Sequence, residues 1–413
     1  MKRKLVLVSL DWIRPKDPRR TLGHVSLLAR LALEPDLEVV SLEFAVNDAH
    51  FQRDDVRGAI LKAGLDDSVT VGIGAYVWNE PVVQWLLPEL RRVGFLGQIV
   101  LGGPQVSYAP PGIDAVYPDA DLFVRGYGED ALVRILRGEP EIRGVTRRGH
   151  DCSESRTEVD LAALPSPHLT ESFAPPFVRW ETQRGCPYSC SFCQHVEAGA
   201  KLPLRQLADA RIDAEIDHFV ARGVKDVAVL DPLFNSNEAH ALRVLRRLEQ
   251  RGFRGRLSLQ CRFEDVTPAF LDACEHLNVV LEFGLQTIHP FEMKAIRRKN
   301  HMAKVDAVIA ELHRRGIRFE VSLIYGLPEQ TLASFRASVD WCIERRVPTL
   351  QAFPLMLLRG TAMERERARW GLVENNDAIP FVVQSNTFSP SDWMDMQRVA
   401  QHLPARRSQT WEA

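Results

Sequence analysis

The sequence predicts an α/β protein in two parts: a doubly wound parallel sheet, then a partial (β/α)6 barrel. Three observations lead there. Short runs that are apolar throughout alternate with stretches of helical period, the pattern of parallel strands covered on both faces. A polar, proline-rich stretch beginning near residue 140 interrupts the alternation. The alternation then resumes through six further βα repeats, enough to curve a parallel sheet.

In the first part the strand candidates are "KLVLVSL" from Lys4, "LEVVSLEFAV" from Leu37, "TVGIGAYVW" from Thr70, "QIVLGGPQV" from Gln98 and "DLFVRGYGE" from Asp121. Helical patterns such as "EPVVQWLLPELRRVG" from Glu80 lie between them. Sheets of this kind bind ligands at the carboxyl ends of their strands. That rim holds Gly72, Gly74, Gly102, Gly103, Gly126 and Gly128, a set that points to a ligand approaching the backbone. The connector, "GHDCSESRTEVDLAALPSPHLTESFAPP", has little periodicity, and its Cys152 reads as an exposed loop thiol.

In the second part the strand candidates are "VRWETQ", "DVAVLD", "RLSLQC", "VVLEFGLQ", "RFEVSLIYG" and "TLQAFPLML". Helical patterns such as "ADARIDAEIDHFVARG" and "NEAHALRVLRRLEQRG" separate them. By analogy with the full barrel, chemistry belongs at the carboxyl ends of the strands. The boundaries read as 1–140 for the first domain, 141–175 for a linker, 176–372 for the barrel and 373–413 for a helical extension.

Lys and Arg number 52 and Asp and Glu 54, a formal charge of −2. That balance argues against a nucleic-acid partner. No apolar run reaches the ~18 residues of a membrane span, so no membrane partner is expected. "MKRKLVLVSLDWIRPKD" starts like a signal peptide, but Asp11 and Arg14 break its apolar stretch. It reads instead as a first buried strand, and a cytoplasmic location with reduced thiols follows.

Three of the seven cysteines fall within "RGCPYSCSFCQ": Cys186, Cys190 and Cys193. In a reducing compartment such a cluster reads as metal ligands or catalytic groups. Structural zinc takes four ligands, usually as two CxxC pairs, whereas the spacing here is CxxxCxxC with no fourth cysteine or Cys/His pair near, and His195, two residues past Cys193, would crowd the same face. A [4Fe-4S] cluster usually takes four cysteines. Three would leave one iron open to a small chelating ligand. Zinc and unrelated thiols stand as the weaker readings.

With these residues in view, the chain resembles the radical S-adenosylmethionine (SAM) superfamily, in the class with an N-terminal Rossmann-like, B12-binding-type domain. CxxxCxxC with an aromatic, Phe192, before the last cysteine is similar to that superfamily's cluster loop. "DVAVLDPLFN" from Asp226, "LEFGLQTIHP" from Leu281 and "FEVSLIYGLPEQT" from Phe319 resemble its second-, fourth- and fifth-strand segments. "AYVWN" from Ala75, "IVLGGPQVS" from Ile99 and "VRGYGEDAL" from Val124 look like the B12-type domain. "RGTAM" from Arg359 and "PFVVQSNTFS" from Pro380 resemble the segment after the barrel.

The resemblance implies roles. Cys186, Cys190 and Cys193 would hold a [4Fe-4S] cluster whose open iron is chelated by SAM. Phe192 would lie against the adenine. Asp231 would stand near the SAM amino group, or cap the helix after it. Glu282 and Gln286 would bind SAM, and Arg298 would pair with its carboxylate, with Arg297 an equal candidate by register. Gly326 and Leu327 would line the adenine pocket. Ser322 departs from the family's frequent carboxylate. Cobalamin is a candidate third cofactor, although "DWIRPKDPRRTLGH" lacks the axial histidine of the DxHxxG pattern.

The activity implied is reductive cleavage of SAM and transfer of an alkyl group to a small molecule of secondary metabolism. The group would be 3-amino-3-carboxypropyl, passed to arsenite as in arsinothricin biosynthesis, or methyl. The alternative is a cobalamin-dependent C- or P-methyltransferase of a natural-product intermediate, and a third reading is a non-catalytic electron-transfer protein. Cys261, ending the third barrel strand, is the candidate catalytic thiol for arsenite; Cys274 and Cys342 read as core. A flavodoxin or ferredoxin is the expected electron donor.

Overall fold

The computed structural model describes residues 3–14, 20–64, 66–150, 155–169, 176–197 and 200–403. The chain divides into two units, Met1–Phe173 and Ala174–Ala413. Cys152, part of the Asp11–His24 loop and the end of the C-terminal extension lie outside the described residues.

The first unit is a six-stranded sheet of β1 (Arg3–Asp11), β2 (Leu37–Ala45), β3 (Val69–Gly74), β4 (Gln98–Gly102), β5 (Leu122–Val124) and β6 (Val145–Arg147), in the order β2-β1-β3-β4-β5-β6. The first five run parallel, as the continuous apolar runs predict, and β6 pairs antiparallel with β5. Strand β1 shows why its run is apolar throughout. Val6, Val8 and Leu10 pack with Val56 and Ile60 of the helix Arg53–Ala63 and with Leu86 and Leu90 of the helix Glu80–Arg92. Leu5 and Leu7 pack on the opposite face with Leu31 of the helix Leu22–Leu31 and Leu132 of the helix Glu129–Leu136. The strand order reverses between β1 and β3, the switch point where such sheets take ligands.

Three of the rim glycines serve the chain's own packing. A methyl at Gly103 would stand 2.6 Å from the Ala75 carbonyl oxygen, and one at Gly126 would stand 2.7 Å from the Thr157 carbonyl oxygen. At Gly74 it would meet the Tyr76 ring at 3.0 Å. These glycines let the chain's own segments approach one another. Thr157 lies in the stretch read as a linker, yet it donates to Arg125 O at 2.7 Å and through Oγ1 to Tyr127 O at 2.6 Å. With β6, that stretch is part of the first unit. It lacked periodicity because a three-residue strand and the few hydrogen bonds of one threonine are too short to show one.

The second unit is built on β7 (Phe177–Trp180), β11 (Asp226–Val229), β12 (Arg256–Cys261), β13 (Val279–Gln286), β14 (Arg318–Tyr325) and β15 (Leu350–Pro354). All six are parallel and lie side by side in chain order, the partial barrel that the repeats predict. A small sheet of β8 (Gln183–Cys186), β9 (Val196–Glu197) and β10 (Ala200–Gln206) is inserted after β7, in the order β8-β10-β9. After the barrel, β16 (Val373–Glu374) and β17 (Val382–Gln384) form an antiparallel pair before the helix Pro390–Gln401, so the expected helical extension is only partly helical. No helix among the described residues is long and apolar enough to cross a membrane.

Alternation along the strands sorts the barrel into two faces. In register across four strands, Trp180, Val229, Leu259 and Leu281 share one face and are buried. Trp180 donates to Glu215 Oε2 at 2.7 Å and meets Phe219 edge-on, both on the helix Asp209–Ala221. This face therefore looks at the helices. The opposite face, toward the lumen, carries Gln260, Glu282 and Glu320 in one row and Gly284, Ser322 and Gln351 in the next.

Candidate active site

The cysteine loop starts where β8 ends. Gly185, at φ 97°, takes a backbone form open to glycine and turns the strand into the loop. Cys190 and Cys193 close a tight turn through Cys193 N–H to Cys190 O at 3.2 Å. Two distant segments grip that turn. Ser191 N–H donates to Ile296 O at 2.9 Å and Ser191 Oγ to Ala295 O at 3.2 Å. From the other side Met363 N–H donates to Ser191 O at 2.8 Å, and Gln194 Nε2 to Arg359 O at 2.9 Å. Phe192 is half-buried on this turn. Arg184 pairs with Glu181 at 2.8 Å.

Cys190 is buried, while Cys186 and Cys193 are half-buried. Burial raises the Cys186 thiol above its ordinary value and lifts Cys193 to about 11, against a backbone N–H from His195 3.4 Å from Cys193 Sγ. Metal binding at such thiols displaces protons as it forms. Among the described residues, no group of three or more His, Cys, Asp and Glu is arranged around a single metal ion. The fit to a cluster therefore rests on the shared loop and on Arg298. Arg298 Nη1 lies 3.8 Å from Cys190 Sγ, Nη2 donates to Gly284 O, and Nε is buried with no partner. An orphaned buried donor beside three thiols suits an acidic group in the site.

Of the two neighbouring arginines only Arg298 meets the thiols. Arg297 pairs with Glu366 instead. Gln286 stands at the irregular end of β13 with φ 69°, a form costly for a non-glycine residue. Its amide lies over Gly284, where any added methyl would collide with Gln286 Nε2. Gln286, Gly284, Arg298 and Cys190 thus form one assembly. Glu282 faces the lumen and accepts from Gln260 Nε2, and beside it Glu320 accepts from Gln351 Nε2 at 3.1 Å. Gln260, Glu320 and Gln351 were not singled out from sequence. The alternation in "RLSLQC", "RFEVSLIYG" and "TLQAFPLML" is the signal that marks them as facing the lumen.

Two expectations, those for Cys261 and Asp231, need correction. Cys261 falls on the helix-facing side, in register with Phe283, and is 4% exposed. Burial and the nearby Cys274 push its thiol well above the ordinary value, so it packs as a small hydrophobe and cannot present a thiolate to the lumen. Asn237 rather than Asp231 caps the next helix, and Asp231 is fully buried. Its Oδ1 accepts Thr182 N–H at 2.7 Å and Gln183 N–H at 3.1 Å, and its Oδ2 accepts Thr182 Oγ1 at 2.5 Å. It ties down the residues immediately before the cysteine loop. Gly326 and Leu327 both donate their N–H groups to Gln330 Oε1, at 2.7 and 3.2 Å, and Leu327 is fully buried. Gly326 serves a close approach to Val382, whose carbonyl oxygen would lie 3.1 Å from an added methyl.

Comparison with known proteins agrees with this layout. The sequence profile of the radical SAM superfamily matches residues 180–342. The cobalamin-dependent radical SAM methyltransferase TokK of Streptomyces tokunonensis is 28% identical over 321 residues, 68% of this chain and 46% of that protein. The 2-(S-pantetheinyl)-carbapenam-3-carboxylate methyltransferase of Streptantibioticus cattleyicolor is 32% identical over 200 residues, 42% of this chain and 29% of that protein. The aligned region thus spans less than half the length of these two relatives. The solved structure of the radical SAM methyltransferase TsrM from Kitasatospora setae, with cobalamin and [4Fe-4S] cluster bound, superposes with a TM-score of 0.73 at 20% identity, covering 95% of this chain and 84% of that one. The cobalamin-dependent radical enzyme OxsB superposes with a TM-score of 0.71 at 14% identity, covering 96% and 66%. Likeness at these identities speaks to the fold. Residues 180–342 thus match the radical SAM superfamily, and a Rossmann-like unit precedes them in sequence.

Proposed function

We propose that the chain is a cobalamin-dependent radical SAM methyltransferase acting on a small molecule. The observation that carries this is the loop of Cys186, Cys190 and Cys193, with Arg298 Nη1 3.8 Å from Cys190 Sγ and its Nε buried and unpartnered. In this reading the three thiolates hold a [4Fe-4S] cluster with one corner open, and Arg298 pairs with the SAM carboxylate. Phe192, Glu282 and Gln286 bind the rest of SAM. The carboxyl rim between β1 and β3 is the cobalamin site, with Ile13 where the DxHxxG pattern has histidine.

When bound, the cluster supplies a low-potential electron, drawn from a flavodoxin- or ferredoxin-type donor, and cobalamin supplies a metal able to carry methyl. The chain's own part is to orient SAM and hold the loop rigid. Methyl is favoured over 3-amino-3-carboxypropyl for two reasons. TokK, TsrM and the carbapenam enzyme are methyltransferases by name. The thiol that favoured arsenite, Cys261, faces the helices.

The test is anaerobic incubation of the reconstituted protein with SAM, cobalamin, a reductant and panels of small acceptors. S-adenosylhomocysteine and a methylated acceptor are expected. Methylthioadenosine as the product would overturn methyl transfer in favour of the aminocarboxypropyl reading.

A further inference from the structure

Tyr188 lies midway between Cys186 and Cys190 and is held from two directions. Its hydroxyl stands 2.8 Å from each carboxylate oxygen of Asp265. The Arg262 guanidinium lies over its ring, with Cζ 3.8 Å from the centroid. Arg262 follows the last residue of β12 and is only 4% exposed. Its Nε donates to Glu264 Oε2 at 2.8 Å and its Nη2 to Lys299 O at 2.7 Å. Its main chain is bonded both ways to the Asn235 side chain, at 3.0 and 2.9 Å. The cation is therefore fixed from its backbone to its tip. The stack gives a flat guanidinium face to an aromatic ring inside the protein, where such contacts are strongest.

We infer that Arg262 is a positioning residue for the cysteine loop, and that its fixed charge raises the reduction potential of the cluster held there, in opposition to Asp265. This rests on the cluster assignment proposed above. Taking up one electron makes the cluster more negative by one charge. A fixed cation nearby stabilises the reduced form over the oxidised one, and a carboxylate does the reverse. Arg262 and Asp265 both reach the loop through Tyr188, one at its ring and one at its hydroxyl. Glu264 pairs with Arg262, and Lys304 Nζ donates to the main-chain carbonyl of Glu264 at 2.6 Å.

The experiment is an EPR-monitored redox titration of the full chain, reconstituted anaerobically, without SAM. Arg262→Gln should lower the potential by about 59 mV, a tenfold change in the one-electron equilibrium. Asp265→Asn should raise it, and Arg262→Lys should leave it close to wild type. An unmoved potential in a loaded Arg262→Gln protein overturns the inference, as do shifts of the same sign in Arg262→Gln and Asp265→Asn, which would mark a packing role alone. If Arg262→Gln takes up no cluster, Asp265→Asn decides: a rise supports the inference and its absence overturns it. A wild-type chain that holds no cluster would overturn the cysteine assignment itself, and this inference with it.

Discussion

Replacing Asp231 tests how the barrel aims the cysteine loop. Its carboxylate accepts Thr182 N–H and Gln183 N–H at 2.7 and 3.1 Å, four and three residues before Cys186. Asp231→Ala strands both buried amides, at about 1–3 kcal/mol each, so a loss of about 4 kcal/mol is expected. Asp231→Asn keeps an acceptor for both amides and should recover most of that. The two variants also separate with pH. Burial lifts the Asp231 carboxyl from 3.8 to about 7. Across that window the folded chain holds a proton that the unfolded chain has released, so this group's contribution to stability falls as pH rises from about 4 to about 7. His240, 2.8 Å from Thr182 Oγ1, is held by burial at about 4 and slopes the other way, losing stability as pH falls below its ordinary 6.5. The difference between wild type and Asp231→Asn cancels that slope, and the Asn variant should gain on wild type from pH 5 to pH 8. The assay is urea unfolding of the metal-free chain at several pH values, followed by tryptophan fluorescence, with iron content measured after reconstitution. A loss under about 1 kcal/mol for Asp231→Ala, or an Asn variant as weak as Ala, would refute the account, since buried amides without an acceptor cost at least that much.

Other substitutions probe the rest of the site. Cys261→Ala should leave iron content and SAM turnover at wild-type levels and cost about 1 kcal/mol of stability by urea unfolding; lost turnover in a folded protein would restore the thiol to the lumen. Arg298→Met should retain iron but bind SAM more than about tenfold less tightly by equilibrium dialysis, as expected for a lost charge-assisted bond of about 1.5–3 kcal/mol. Gly326→Ala should lower stability by about 1–3 kcal/mol, because a side chain is forced to φ 87° against the Val382 carbonyl; an unchanged urea midpoint would show that the C-terminal segment moves freely aside.

The sequence by itself determined the two-part α/β architecture. Continuous apolar runs such as "KLVLVSL" have no other economical burial than a sheet with helices on both sides, as the packing of Leu5 and Val6 on opposite faces shows. It also determined the thiol loop, because three cysteines at CxxxCxxC are a local feature. Tertiary structure alone decided which flanking groups serve that loop. Arg298 rather than Arg297 meets Cys190 because the two residues leave the chain in different directions, one paired with Glu366. Cys261 sits at the carboxyl end of its strand as read, but its even spacing from Leu257 and Leu259 turns it, like them, to the helices. Asp231 and Gly326 occupy their motif positions, yet their partners, Thr182 and Val382, lie 49 and 56 residues away in the chain. Local pattern records what a residue is and which strand carries it. Which atoms it faces depends on strand parity and on contacts between segments distant in sequence, and those exist only once the sheet has closed.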